Sequence, residues 1–97
     1  MLNFDLVKIK QERIKYKQKL VYIKIFNNLC QTINVNIDSG NIYCLFIVPE
    51  FILDEITYPF IDCIKYLNYK LNKIKQDKNI IEISFYIPNV YYIKWII

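Results

Sequence analysis

The stretch IIEISFYIPNVYYIKW, residues 80–95, decides the fold because it contains two alternating runs with one turn signal between them. In the first run one face carries apolar residues and the other carries mostly polar ones: Ile81, Ile83, Phe85 and Ile87 against Glu82, Ser84 and Tyr86. In the second run Tyr91, Ile93 and Trp95 alternate with Val90, Tyr92 and Lys94. Alternation of this kind predicts an antiparallel hairpin. Pro88 cannot take the positive φ of a primed two-residue turn, so a type I or II turn, or a slightly longer loop, is expected.

A helix and a strand are predicted before this hairpin. Apolar residues recur at helical spacing over about residues 58–75: Phe60, Ile64, Leu67, Leu71 and Ile74. Thr57 is expected to cap this helix, and QDKN, residues 76–79, to form the turn that follows it. Upstream, IYCLFIV (residues 42–48) is a continuous apolar run that ends at Pro49, a pattern typical of a strand covered on both faces. The segment EFILDEI, residues 50–56, fits either a short helical turn or a loop.

The amino-terminal third predicts a long helix over about residues 5–33, because it lacks Gly and Pro and is rich in Lys and Gln. The segment NVNIDSGN, residues 34–41, has turn chemistry and ends the helix. An apolar stripe runs along one side, with further apolar residues beside it: Ile14, Val21, Ile25 and Leu29, then Tyr22, Phe26, Cys30 and Ile33. Phe4 and Val7 continue the stripe, but Gln11 interrupts it. We therefore expect a helix that is docked at its carboxyl half and increasingly exposed toward its start.

Together these elements predict an α+β domain in the order α-β-α-β-β, with a small mixed or antiparallel sheet and the helices on one face. At 97 residues, 55% of them hydrophobic, the chain is expected to be one globular domain over 1–97, and residues 1–24 form its basic, partly exposed start. Its apolar runs are much shorter than the roughly 20 residues that span a bilayer. With no signal-peptide core at the start, a soluble, intracellular protein is expected.

The residue types available predict no enzyme. The chain has no His, which removes Ser-His and Cys-His pairs and the commonest metal ligand. Its single Gly, Gly40, excludes phosphate loops that need several glycines. Cys30, Cys44 and Cys63 are widely spaced and are predicted to be buried free thiols. Accordingly we expect no catalytic residue, no metal site and no cofactor.

Two candidate binding surfaces remain. One is a basic stripe on the first helix: Lys8, Lys10, Arg13, Lys15, Lys17, Lys19 and Lys24. It is either a solvated helix face or a surface that neutralises phosphates. The other surface lies on the outer face of the hairpin, where Tyr86, Tyr92 and Lys94 fit base stacking, a protein contact or an ordinary half-buried sheet.

Helix, strand, helices and a two-stranded wing is also the order of a winged-helix domain. This alternative requires a second helix between the first strand and the hairpin, which only EFILDEI could form.

The sequence also resembles a small protein family of nucleocytoplasmic large DNA viruses. Members of that family have a basic first helix followed by the motif Y-C-x-[FY]-x-V-P-x-F. A helix with C-x-x-Y-L comes next, and the chain closes on a hairpin with Y-x-x-P-N-x-[LY]-x-I-x-W. The matching positions are Tyr43, Cys44, Val48, Pro49, Phe51, Cys63, Tyr66, Leu67, Pro88, Asn89 and Trp95. This chain departs from the pattern at DEITYP, where the family has Gly-x-Pro-Leu-Tyr, and at KNII, where a Gly-Phe pair is missing. The resemblance implies a virion or cytoplasmic virus-factory context and no reaction.

The leading hypothesis is therefore a non-enzymatic structural or assembly protein of a large DNA virus, such as a minor capsid or internal virion component. Its expected partners are other virion proteins or further copies of itself. The alternative is a small nucleic-acid-binding accessory factor for viral transcription, replication or packaging.

Overall fold

The computed structural model describes residues 3–78 and 81–95. Its elements are α1 (Phe4–Asp38), β1 (Tyr43–Ile47), α2 (Phe60–Lys78), β2 (Ile81–Tyr86) and β3 (Val90–Trp95). The strands form one antiparallel sheet in the order β1-β3-β2, and both helices pack on the same face of it. The predicted α+β class and element order are confirmed.

Helix α1 is longer at its carboxyl end than predicted. At its start, the Asn3 side chain accepts a hydrogen bond from the Leu6 N–H at 3.1 Å, which satisfies one free donor of the first turn. The predicted turn over residues 34–41 is wrong for residues 34–38, which are helical. Asn and Asp are tolerated in a helix, and only Gly40 supplies the positive φ, +82°, that ends it.

Between β1 and α2 the chain forms a loop with no helix. EFILDEI contains one turn, in which the Glu55 N–H donates to the Ile52 carbonyl at 3.2 Å, and Asp54 has a positive φ of 66°. This segment does not supply the second helix that a winged-helix domain needs. Helix α2 begins at Phe60, where the Pro59 carbonyl accepts from the Cys63 N–H at 3.2 Å, so Thr57 is not its cap. The helix also includes residues 76–78 of the predicted QDKN turn, while Asn79 and the following Ile80 lie outside the described residues.

Strand β3 lies at the centre of the sheet, and bonds at both its ends hold β1. The Trp95 backbone N–H donates to the Ile42 carbonyl at 3.0 Å, and its indole N–H donates to the Asn41 carbonyl at 2.9 Å. At the other end, the Val48 N–H donates to the Asn89 carbonyl at 2.8 Å, and the Asn89 amide donates back to the Val48 carbonyl at 3.2 Å. The hydrogen bonds of Asn89 and Trp95 therefore fix the register in which β1 pairs with β3.

The core lies between the inner face of the sheet and the two helices. Its fully buried side chains come from the second half of α1, from α2, from β3 and from the residue that follows β1: Val21, Ile25, Leu29, Cys63, Leu67, Leu71, Tyr91, Ile93 and Val48. Tyr22 packs edge-on against Tyr58 at 5.6 Å between ring centroids. Two predicted core residues are not buried. Ile87 lies beyond β2 in the three-residue loop before β3 and is 90% exposed, and Phe85 is 36% exposed, although its ring packs against Tyr91 at 4.8 Å between centroids.

Candidate functional site

The outer face of the sheet, opposite the helices, is largely apolar, and no described element of the chain covers it. Antiparallel pairing aligns it in three rows: Tyr43 with Lys94 and Glu82, Leu45 with Tyr92 and Ser84, and Ile47 with Val90 and Tyr86. We call these nine residues the outer face. Leu45 is 57% exposed and Ile47 is 67% exposed. The prediction that the β1 run is covered on both sides is therefore wrong, since only its inner residues are buried.

The structure brings together the three hairpin residues that the sequence singled out. Tyr86 is exposed, while Tyr92 and Lys94 are half-buried in the central strand. Tyr92 also packs against Tyr43 at 5.5 Å between ring centroids, with the planes tilted by 30°. The sequence did not identify the β1 side of this surface, Tyr43, Leu45 and Ile47. The signal was present in the period-two spacing of these residues, but it was masked because the intervening residues are apolar too.

The second surface is the first half of α1, which extends beyond the domain. Every residue from Asn3 to Lys17 is exposed. We call residues 4–17 the overhang, which at 1.5 Å per residue is about 20 Å of helix that packs against no other element among residues 3–78 and 81–95. It holds five of the predicted basic residues: Lys8, Lys10, Arg13, Lys15 and Lys17. Lys19 follows the overhang and is also exposed. It also exposes six large apolar side chains: Phe4, Leu6, Val7, Ile9, Ile14 and Tyr16.

The overhang joins the domain where α1 meets the loop before α2. The Gln18 amide donates to the Thr57 carbonyl at 3.1 Å, and the Lys24 ammonium forms an ion pair with Glu55. An open groove of about 550 Å³ lies beside this ion pair, with Lys17 and Leu20 on its helix side. Lys24, one residue of the predicted basic stripe, is therefore paired within the domain.

The basic residues and the hairpin residues do not form one site. The outer face lies on the side of the sheet away from both helices. The overhang is a continuation of α1, which packs on the inner side. The chain thus presents two separate surfaces, one apolar and aromatic, the other basic with apolar stripes.

The three free thiols, Cys44 and Cys63 buried and Cys30 half-buried, are held in their protonated form. Burial raises the pKa of Cys63 to about 11 and also raises the pKa values of Cys44 and Cys30. These thiols are protonated at neutral pH, and the thiol is a far weaker nucleophile than the thiolate. Within residues 3–78 and 81–95, no three side chains of the metal-binding types converge on one point. Neither described helix has the length and apolar content that crossing a bilayer requires.

Comparison with known proteins gives a family and one relative. The profile of a family of unknown function, DUF5759, matches residues 2–72, which include α1, β1 and most of α2. The chain is also 35% identical over 96 residues to the uncharacterized protein R447 of Acanthamoeba polyphaga mimivirus. That alignment covers 98% of this chain and 76% of the mimivirus protein. No solved structure shows a significant match.

Proposed function

The chain belongs to the DUF5759 family of unknown function, and from this premise and the structure we propose that it is a non-enzymatic structural or assembly protein of a large DNA virus. In this proposal it is a minor capsid or internal virion component that acts through protein–protein contacts in the virion or the virus factory. The similarity to a mimivirus protein supports the viral context.

The observation that carries this proposal is the uncovered outer face. A solvent-facing side of an antiparallel sheet ordinarily alternates polar residues against the apolar core side. Here the solvent side of β1 is Tyr43, Leu45 and Ile47, and Val90 continues it across the sheet. Contiguous exposed apolar surface is typical of protein contact sites, and Tyr is enriched there.

The chemistry of the remaining residues supports a binding role over catalysis. There is no His, two of the three thiols are buried and Cys30 is half-buried, and in the adjacent Asp54-Glu55 pair Glu55 is already bound to Lys24. A structural protein needs none of these groups to be reactive.

Quantitative mass spectrometry of purified particles tests the proposal. We expect the protein at a stoichiometry comparable to that of other minor structural proteins, and retained after salt washing. Absence from particles, or recovery only at trace amounts, would exclude a structural role.

A second candidate function is a small nucleic-acid-binding accessory factor, favoured by the exposed basic residues of the overhang. Binding to DNA or RNA would weaken steeply with salt, because each phosphate contact releases counterions. Replacing Lys10, Arg13 and Lys17 with Gln should reduce the slope of log affinity against log salt by up to about 3. The matched control replaces three exposed lysines of α2: Lys65, Lys73 and Lys75. A wild-type protein without salt-sensitive binding would eliminate this candidate.

A further inference from the structure

The overhang has the residue pattern of one strand of a coiled coil. Taking Phe4 as position a of a heptad, the a positions are Phe4, Gln11 and Gln18, and the d positions are Val7, Ile14 and Val21. Val7 is 51% exposed and Ile14 is 45% exposed. From Val21 onward the same stripe is buried against the domain. Among the described residues, the part of this stripe before Gln18, which Gln11 interrupts, therefore has no tertiary partner.

In the overhang the positions that flank this stripe are lysine, whereas the next e position, in the docked part of the helix, is Tyr22. Position e holds Lys8 and Lys15, and position g holds Lys10, Lys17 and Lys24. In coiled coils the e and g residues face the partner helix across the apolar seam and select it by charge. In a parallel dimer of this chain, Lys10 would lie opposite Lys15 of the second copy, and this repulsion disfavours self-pairing. Opposite charge at these positions favours an acidic helix instead.

The domain already contains one example of this pairing. Lys24, the g lysine of the docked part, forms its ion pair with Glu55 of the loop before α2. Among the described residues, the g lysines of the overhang, Lys10 and Lys17, form no ion pair. The end of the stripe covered by its own domain thus has an acidic partner, and the uncovered end has none.

We propose that the overhang binds an acidic amphipathic helix of another protein and forms a two-stranded coiled coil with it. The partner helix has apolar residues at its own a and d positions and Asp or Glu at e and g. This inference rests on the proposed function, which it deepens by naming the class of partner. Nucleic acid would engage the lysines but leave Val7 and Ile14 in water, which distinguishes it from a helix.

Binding to designed peptides tests the proposal with the full chain. The probe is a labelled peptide of about four heptads with Leu at a and d and Glu at e and g. Its matched partner carries Lys at e and g and is otherwise identical. We expect the chain to bind the acidic peptide, seen as increased fluorescence anisotropy, and not the basic one. A quadruple Lys8→Glu, Lys10→Glu, Lys15→Glu, Lys17→Glu variant should reverse this preference, because it makes the e and g positions of the overhang acidic.

Two double variants separate the apolar seam from charge alone. Val7→Ser with Ile14→Ser removes both d residues and should weaken acidic-peptide binding roughly a hundredfold. The control, Ile9→Ser with Tyr16→Ser, removes two equally spaced exposed apolar residues at position f and should bind as wild type. Neither pair is buried, so both variants keep the fold.

Several outcomes would overturn the proposal. These are no binding to the acidic peptide, equal binding to both peptides, equal loss in the two double variants, or a dimer of the chain that the Val7 and Ile14 changes dissociate. Binding to duplex DNA that is insensitive to the Val7 and Ile14 changes, without acidic-peptide binding, would also overturn it in favour of a charge-only surface. A protein present in particles that fails the peptide test refutes this inference alone, whereas peptide binding by a protein absent from particles refutes the virion role alone.

Discussion

Two leucines distinguish the core from the outer face, and truncating each to Ala tests that distinction. Leu67 on α2 is fully buried, whereas Leu45 on β1 is 57% exposed. Leu67→Ala should lower the free energy of unfolding by about 3 kcal/mol, because it removes buried methyl groups and leaves a cavity. Leu45→Ala should lower it by less than about 1 kcal/mol, because less than half of that side chain is buried and no cavity forms.

Urea unfolding measures both effects, with the fluorescence of Trp95 as the signal. Trp95 is the single tryptophan and is buried, so its emission reports the fold directly. With a slope of about 1.5 kcal/mol per molar urea, Leu67→Ala should lower the midpoint by about 2 M and Leu45→Ala by less than about 0.7 M. Equal shifts for the two variants, measured in dilute monomer, would show that the outer face is covered and would refute the assignment of this face as a binding surface.

Three further perturbations have defined outcomes. Burial raises the pKa of Tyr91 to about 12. The contribution of its protonated phenol to the free energy of unfolding is therefore complete below about pH 10 and is lost as pH rises through about 12. Tyr91→Phe should make this alkaline loss of stability smaller in urea unfolding measured at several pH values. In native protein, Cys30 should react with a thiol reagent before Cys63, which is fully buried; simultaneous reaction would contradict the core packing. Asn89→Ala should cost about 1 kcal/mol in urea unfolding, since it removes the side-chain hydrogen bond at the end of β1; no loss would show that this bond is not needed.

The hairpin and the second helix were predictable because their apolar residues follow one period each. Tyr91, Ile93 and Trp95 are buried as their alternation with polar neighbours indicated, and Leu67 and Leu71 are buried as helical spacing indicated. In these segments, period and burial coincide.

The β1 side of the outer face was missed because periodicity cannot tell whether a second apolar face is covered. In β1 every residue is apolar, so two-sided burial and one exposed face give the same sequence pattern. The prediction for Ile87 was wrong for a related reason, since the apolar alternation in the sequence continues past Tyr86, where the pairing of β2 with β3 ends. The sequence predicted the overhang as an exposed, basic start of the helix. The apolar stripe through Ile14 did not show at which residue the helix begins to pack on the domain.

The claim that the outer face contacts another virion protein is tested most directly by site-specific photo-cross-linking inside purified particles. A photoreactive residue in place of Leu45 should join the chain to one defined structural protein of the particle. The same residue in place of Tyr69, an exposed side chain on α2, should give little of that product. No cross-link at position 45, or the same products from both positions, would contradict the assignment of the outer face as the contact surface.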